Sequence, residues 1–318
     1  MIDQQIDIAT KDGKTTTFIT HPERGGPFPV IIFYMDAPAI REELRDMARR
    51  IATVGYYVML PNLYYRSGVL ELKDLPPLDE KAARARMFGF MGAITIPMIM
   101  DEIAPALPDG AIVTDVASTK GQVMRWAREK LPGHAHFVGG HPMAGKESTG
   151  IDAAEADLFH GKPWVVVPSV DAPESAVSTV VSLARAVGAR PLFMDADEHD
   201  SYVAAISHLP LTLASALFSV AFGSAAWPEL AGLASSGFRD TTRLASGSPE
   251  MAHDIVMTNR ENLLHWIDRF QDELTRFREM IASGESQQLL EAFGKPQLER
   301  DNYVLNGPPR RQTPGPDV

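Results

Sequence analysis

Residues 137–150 read FVGGHPMAGKESTG: an apolar run passes through two glycines into His141 and Pro142, then opens into a polar loop with Lys146 and Glu147. A histidine presented where a strand gives way to irregular backbone holds an active-site position. In α/β sheets ligands collect at the carboxyl ends of strands, and loops mounted there carry chemistry. Three further stretches hold polar groups that could converge on it. They are TDVASTKG at 114–121 with Asp115 and Ser118, EHDSYVAAISHLP at 198–210 with His199, Asp200 and His208, and GFRDTTRLASGSP at 237–249 with Arg243. An imidazole that titrates near neutrality can take a proton, and a guanidinium fork fits a carboxylate. Other readings stay open at this level. Ser118 and Thr119 could equally cap the helix that follows, and Arg243 could be a surface partner of Asp240. In a strand His134 and His136 would share one face, so a metal-dependent hydrolase using them with His141 and His199-Asp200 competes with a metal-free site.

Composition narrows the classes. A chain of 318 residues suggests two or three domains at about 100 to 200 residues each. A net charge of −11 and a pI near 5.3 argue against nucleic acid as a partner, which would need clustered Lys and Arg. No cysteine is present, so disulfides, thiolate metal sites and cysteine nucleophiles are excluded. The polar, acidic N-terminus and the lack of an uninterrupted apolar run near ~20 residues predict a soluble, cytoplasmic protein with no membrane partner.

The elements that must position these groups follow in chain order. Alternation around Asp12-Gly13 over residues 3–20 predicts a β-hairpin. VIIFYM and YYVMLPN read as buried strands flanking a helix with Leu44, Met47, Ala48, Ile51 and Val54 on one face, a parallel β-α-β unit. Beyond Asp101, strands at AIVTDVAS, HFVGG, WVVVPSV and RPLFMDA alternate with helices, predicting a parallel doubly wound sheet. After Asp197 the strands stop. A helix over 197–222 is expected to kink at Pro210, and one long helix from Pro249 to about Ala282 carries Leu263, Ile267, Phe270, Leu274, Phe277 and Ile281. Their alternating spacing of four and three is a 3.5-residue seam that packs on another helix, within the subunit or across a dimer. The segment from Gly294, rich in Pro, Gly and charge, reads as disordered.

Two families are resembled. Residues 1–101, through YYVMLPNLYYRSG and ARARMFGFMGAITIPMIMD, resemble the N-terminal part of dienelactone hydrolases. That family's cysteine nucleophile has no counterpart and no G-x-S-x-G replaces it, so the segment reads as scaffold. From about Glu102 to about Phe293 the four polar stretches resemble, in order and spacing, the prephenate dehydrogenases. This second resemblance implies an α/β fold followed by an all-α region: a Rossmann-like sheet over 102–196 and a helical dimerisation domain over 197–293. It also implies oxidative decarboxylation of prephenate, or of its amino analogue arogenate, to an aromatic product, with NAD or NADP as hydride acceptor and a homodimer as the assembly. His141 matches the catalytic histidine and Ser118 the serine beside the same substrate hydroxyl. Arg243 matches the substrate arginine, and Glu147, His199, Asp200 and His208 match positions near the pocket. Three departures count. Leu211 stands where the family often has a histidine, Ala252 where it usually has a tryptophan, and no G-x-G-x-x-G is present to hold a pyrophosphate; VIIFYM runs instead into Asp36-Ala37-Pro38. Activity is therefore expected to be impaired. A non-catalytic carboxylate-binding fusion protein is the alternative.

Overall fold

A computed structural model describes residues 1–10, 12–35, 39–69, 82, 86, 95–145, 155 and 157–307. They form two compact units, Met1–Arg260 and Glu261–Val318. The boundaries expected near 101 and 196 both fall inside the first.

The first unit opens with the expected hairpin. Strands β1 (Ile2–Thr10) and β2 (Gly13–His21) pair antiparallel from Ile2 opposite His21 to Thr10 opposite Gly13. Gly13, at φ 139°, makes the reversal that a residue with a Cβ would resist. Strand β3 (Val30–Ile32), helix α1 (Glu42–Ala52) and strand β4 (Tyr57–Pro61) complete a parallel β-α-β unit, and the sheet order is β1-β2-β4-β3. Leu44, Ala48 and Ala52 of α1 pack with Phe18, Val58 and Leu60 into one core. β3 is shorter and more exposed than its apolar sequence predicts, with Val30 48% exposed, because among the described residues it lies at the end of this sheet's strand order with a partner on one side.

The second sheet, order β5-β6-β7-β8, comprises β5 (Ile112–Thr114), β6 (His136–Pro142), β7 (Pro163–Pro168) and β8 (Arg190–Phe193). Helices cover both faces, as the α/β expectation requires. Alternation along β6 sends Phe137 toward α2 (Ile96–Ile103) and α3 (Gly121–Lys130), and Val138 toward α4 (Glu174–Ala186). One pair departs from the all-parallel prediction. β5 with β6 and β7 with β8 are parallel, each joined through a helix, but β6 and β7 are antiparallel with Pro142 opposite Trp164. Antiparallel neighbours need no helical crossover, and between these two strands the described residues contain none.

Helical chain follows. α5 (Ala196–Val203) passes through a π-helical segment, Ala204–His208, into α6 (Leu209–Phe222). Pro210 lacks an N–H and its ring crowds the preceding turn, so the widened segment takes the place of the expected kink. The continuous helix Ala196–Phe222, 27 residues, contains a stretch long and apolar enough to cross a membrane by length and composition; its first half carries buried His199, Asp200 and His208. α7 (Trp227–Leu233) and α8 (Ser236–Thr242) pack on α6, with Trp227 edge-on to Phe218 at 5.5 Å.

The single long helix expected from Pro249 is broken. α9 (Pro249–Thr258) ends at Asn259, and α10 (Arg260–Ser283) starts anew. The second unit contains nearly all of α10 and α11 (Ser286–Asn306). Within it Phe277 meets Phe293 at 5.2 Å, while seam residues Leu274 and Ile281 are 59% and 64% exposed. The disorder expected from Gly294 is corrected as far as Asn306, since α11 continues through Gly294 and Pro296, and the rest of that expectation, 308–318, lies outside the described residues. Helix formers on both sides, Leu289 to Ala292 and Gln297 to Arg300, carry the helix across Gly294 and Pro296.

Candidate active site

The site is built where β5 ends beside β6, which runs on to Pro142. Gly140 is required there by contact. A Cβ on it would lie 2.5 Å from the Asp115 carbonyl oxygen and 2.9 Å from Trp164 Nε1, and neither neighbour can withdraw. Its N–H donates to Asp115 Oδ1 at 3.0 Å. Gly140→Ala is therefore expected to destabilise the fold by about 1–3 kcal/mol, as overpacking does. A denaturant midpoint equal to that of the wild type would show that the strands can part.

Lys120, the residue before α3, is fully buried and spans the same junction. Its ammonium pairs with Asp115 and donates to the Gly140 carbonyl at 2.7 Å. Burial pushes its pKa down, and the Asp115 charge opposes that. Asp115 also accepts from the Ala117 amide at 2.9 Å. The peptide before His141 is thus held by a charged side chain.

Asp200 arrives from α5 and takes the place of a helix cap. Its carboxylate accepts from the Lys120 amide at 2.7 Å and the Gly121 amide at 2.8 Å, where the start of α3 leaves unpaired donors. Burial alone would raise its pKa, but the bonds from His199 and these two amides hold it below the ordinary carboxylate range. A charged Asp200 fixes the tautomers beyond it. It accepts from His199 Nδ1 at 2.7 Å, and in the tautomer with its proton on Nδ1 His199 accepts at Nε2 from His141 Nδ1, 2.8 Å away. His141 Nε2 is left as an acceptor. Burial, with His199 and Lys120 adding to it, lowers the His141 pKa to about 3, so the ring is neutral at physiological pH.

Asn259, at the break between α9 and α10, completes the cluster. Its amide donates to the Asp200 carbonyl at 2.7 Å and to His208 Nδ1 at 3.1 Å, which keeps His208 in a neutral form. Burial lowers the His208 pKa to about 4. Thr119 donates to Thr258 at 2.9 Å and ties the β5–α3 loop to the end of α9.

These imidazoles carry a pH prediction. A histidine whose folded pKa lies below its unfolded value of ~6.5 binds its proton first in the unfolded chain. Stability is therefore complete above ~6.5 and is lost as pH falls toward 4 and then 3. Melting temperature should drop from pH 7 to 4.5, and less steeply in His208→Gln; a flat profile over that range would contradict the neutral assignments.

The sequence-derived candidates divide clearly. His141, His199, Asp200 and His208 are brought together. His141 is the penultimate residue of β6, so the strand runs two residues further than expected. Ser118 is half-buried in the β5–α3 loop, and neither it nor Thr119 caps α3, whose first amides are taken by Asp200. Arg243 is exposed at the start of a 3-10 turn after α8, and Arg239 lies 3.5 Å from Asp240. Glu147 and Asp36-Ala37-Pro38 lie outside the described residues. His134 bonds the Leu107 carbonyl at 2.9 Å, and among the described residues no group of three or more His, Asp or Glu is placed to hold a metal ion. Lys120 and Asn259 were missed. A lysine between a strand end and a helix start was the available signal for the first; Asn259 stood inside an unbroken helical pattern.

Residues 94–192 match the prephenate dehydrogenase nucleotide-binding domain and 195–295 the prephenate dehydrogenase dimerization domain. Residues 15–120 match the dienelactone hydrolase family, so that likeness runs past the expected join near 101 and overlaps the next match. The chain is 32% identical over 212 residues to a prephenate dehydrogenase of Bacillus subtilis, covering 66% of this chain and 57% of that one. It is 34% identical over 200 residues to the cyclohexadienyl dehydrogenase of Zymomonas mobilis, covering 62% and 68%. The structure of Aquifex aeolicus prephenate dehydrogenase in complex with hydroxyphenyl propionate and NAD+ is similar at 30% identity and a TM-score of 0.61, over 65% of this chain and 72% of that one. The chain thus spans less than two thirds of the Bacillus protein, but with both domain matches in order and 34% identity over 68% of the Zymomonas enzyme, it belongs to the prephenate dehydrogenase family.

Proposed function

We propose that this chain acts on prephenate or arogenate as a dehydrogenase of aromatic amino acid biosynthesis, in the cytoplasm, with His141 as the group that takes the proton of the ring hydroxyl. One observation carries the reading: the Asp200, His199, His141 chain, with protons on the Nδ1 atoms, leaves His141 Nε2 as an acceptor with no partner among the described residues at the end of β6. When that nitrogen accepts a proton, the positive charge is shared through His199 toward Asp200, as a carboxylate behind an imidazole does in other proton-transfer sites. A base with a pKa near 3 is weak. The carboxylate groups of a bound substrate bring negative charge that raises it toward a working value. Ser118 is assigned to orient the same hydroxyl, Arg243 and Glu147 to the substrate pocket, and His208 to the pocket wall that Asn259 fixes. The family's dimerization domain and the exposed Leu274 and Ile281 support a homodimer through the helical region.

The hydride acceptor of this reaction is a nicotinamide dinucleotide, NAD or NADP. The strand-to-helix junctions among the described residues do not fit its pyrophosphate. Incubation with prephenate and with arogenate, each with NAD and NADP at millimolar concentration, tests the reading. Formation of an aromatic product with stoichiometric reduced cofactor is expected, and no product in any of the four mixtures would overturn it.

A further inference from the structure

A dinucleotide pyrophosphate is held in an α/β sheet where a strand leads into a helix through glycines, so that free amides and the positive helix end face the phosphates. Four described helices follow strands in this chain, and each is closed to an anion. α1 begins with Glu42 and Glu43 in its first turn. Hydrogen bonding from Arg49 holds Glu42 below the usual carboxylate range, so it is charged wherever a dinucleotide would bind. Arg41, the residue before α1, lies 3.6 Å from Glu43 and donates to the Ala39 carbonyl at 3.4 Å, so its charge is engaged locally. Residues 33–41 contain no glycine. The left-handed position before α1 is filled by Ala39 at φ 68°, and Ala39 and Ile40 are buried, which puts side chains where a phosphate site needs bare backbone. At α3 the Asp200 carboxylate already holds the first two amides. α4 starts at Pro173 and Glu174, and α5 carries Asp197 and Glu198 behind Asp195, whose side chain caps the Glu198 amide at 2.7 Å.

We infer that the β-α-β unit of residues 30–61 has replaced the pyrophosphate-binding unit of the family, leaving a substrate half that is intact but poorly coupled to its cofactor. The first sheet supports this. It is a separate four-stranded sheet, whereas a dinucleotide site straddles a strand-order reversal within one sheet. The inference rests on the function proposed above and concerns a different half of the site.

Calorimetric titration of the full chain tests it, with NAD, NADP and hydroxyphenyl propionate as separate ligands and the Aquifex relative titrated in the same buffer. Both cofactors are expected to bind this chain at least tenfold more weakly than the relative's NAD+, about 1.4 kcal/mol or more, while hydroxyphenyl propionate binds both proteins. Cofactor affinity equal to the relative's would overturn the inference and leave the proposed function standing. Failure of hydroxyphenyl propionate to bind would overturn both, because the inference requires a working substrate half.

Discussion

His141→Ala is expected to lower kcat by roughly 10²- to 10⁴-fold, the usual contribution of a positioned general base, with cofactor supplied at millimolar concentration. Among the described residues the ring is held through Nδ1 on His199, so its removal leaves Asp200 still bonded to His199, Lys120 and Gly121. The fold should therefore survive, with a circular dichroism spectrum like that of the wild type, and KM for the substrate should change far less than kcat. His199→Ala separates the base from its support. It breaks the link to Asp200 while sparing Nε2 of His141, so the loss should be smaller. Wild-type turnover in His141→Ala would remove the histidine from the mechanism, and a lost dichroism signal would instead assign it to the fold.

The second large effect falls on stability. Asp115→Ala leaves the Lys120 ammonium without its counter-charge in a place with no solvent, and also strips acceptors from the Gly140 and Ala117 amides. Removing one partner of a buried pair typically costs about 3–5 kcal/mol, much more than an exposed pair is worth. Urea titration should show that loss as a shifted midpoint with an unchanged slope. Lys120→Met combined with Asp115→Asn removes both charges and should recover part of it, since an uncharged neighbourhood has no stranded ion. If the double variant were as unstable as the sum of the singles, the pair would not be what joins the two strands.

The order of elements was legible in the sequence because it rests on local rules. Asp12-Gly13 between alternating residues specifies a hairpin whatever surrounds it, and strands that alternate with helices specify an α/β sheet with helices on its faces. Four polar stretches in a fixed order were enough to mark His141, His199, Asp200 and His208. The absence of a glycine loop was equally plain from residue types alone. Partnership was not legible. Nothing local to Asp200 says that its carboxylate will close a helix 80 positions earlier, or that Lys120 will be fully buried against Gly140; those bonds span elements and exist only once the sheet and helix have packed. Strand direction at β6 and β7 depended on the pairing rather than on the alternation, and the break at Asn259 ran against an unbroken apolar period because the amide side chain bonds Asp200 and His208. The apolar seam of α10 is a pattern in the sequence, but whether such a stripe is covered depends on which surfaces meet, and in its own unit Leu274 and Ile281 are exposed. Sequence specifies what each segment can form by itself. Tertiary structure decides which buried polar groups find each other, because an unpaired one costs too much to remain.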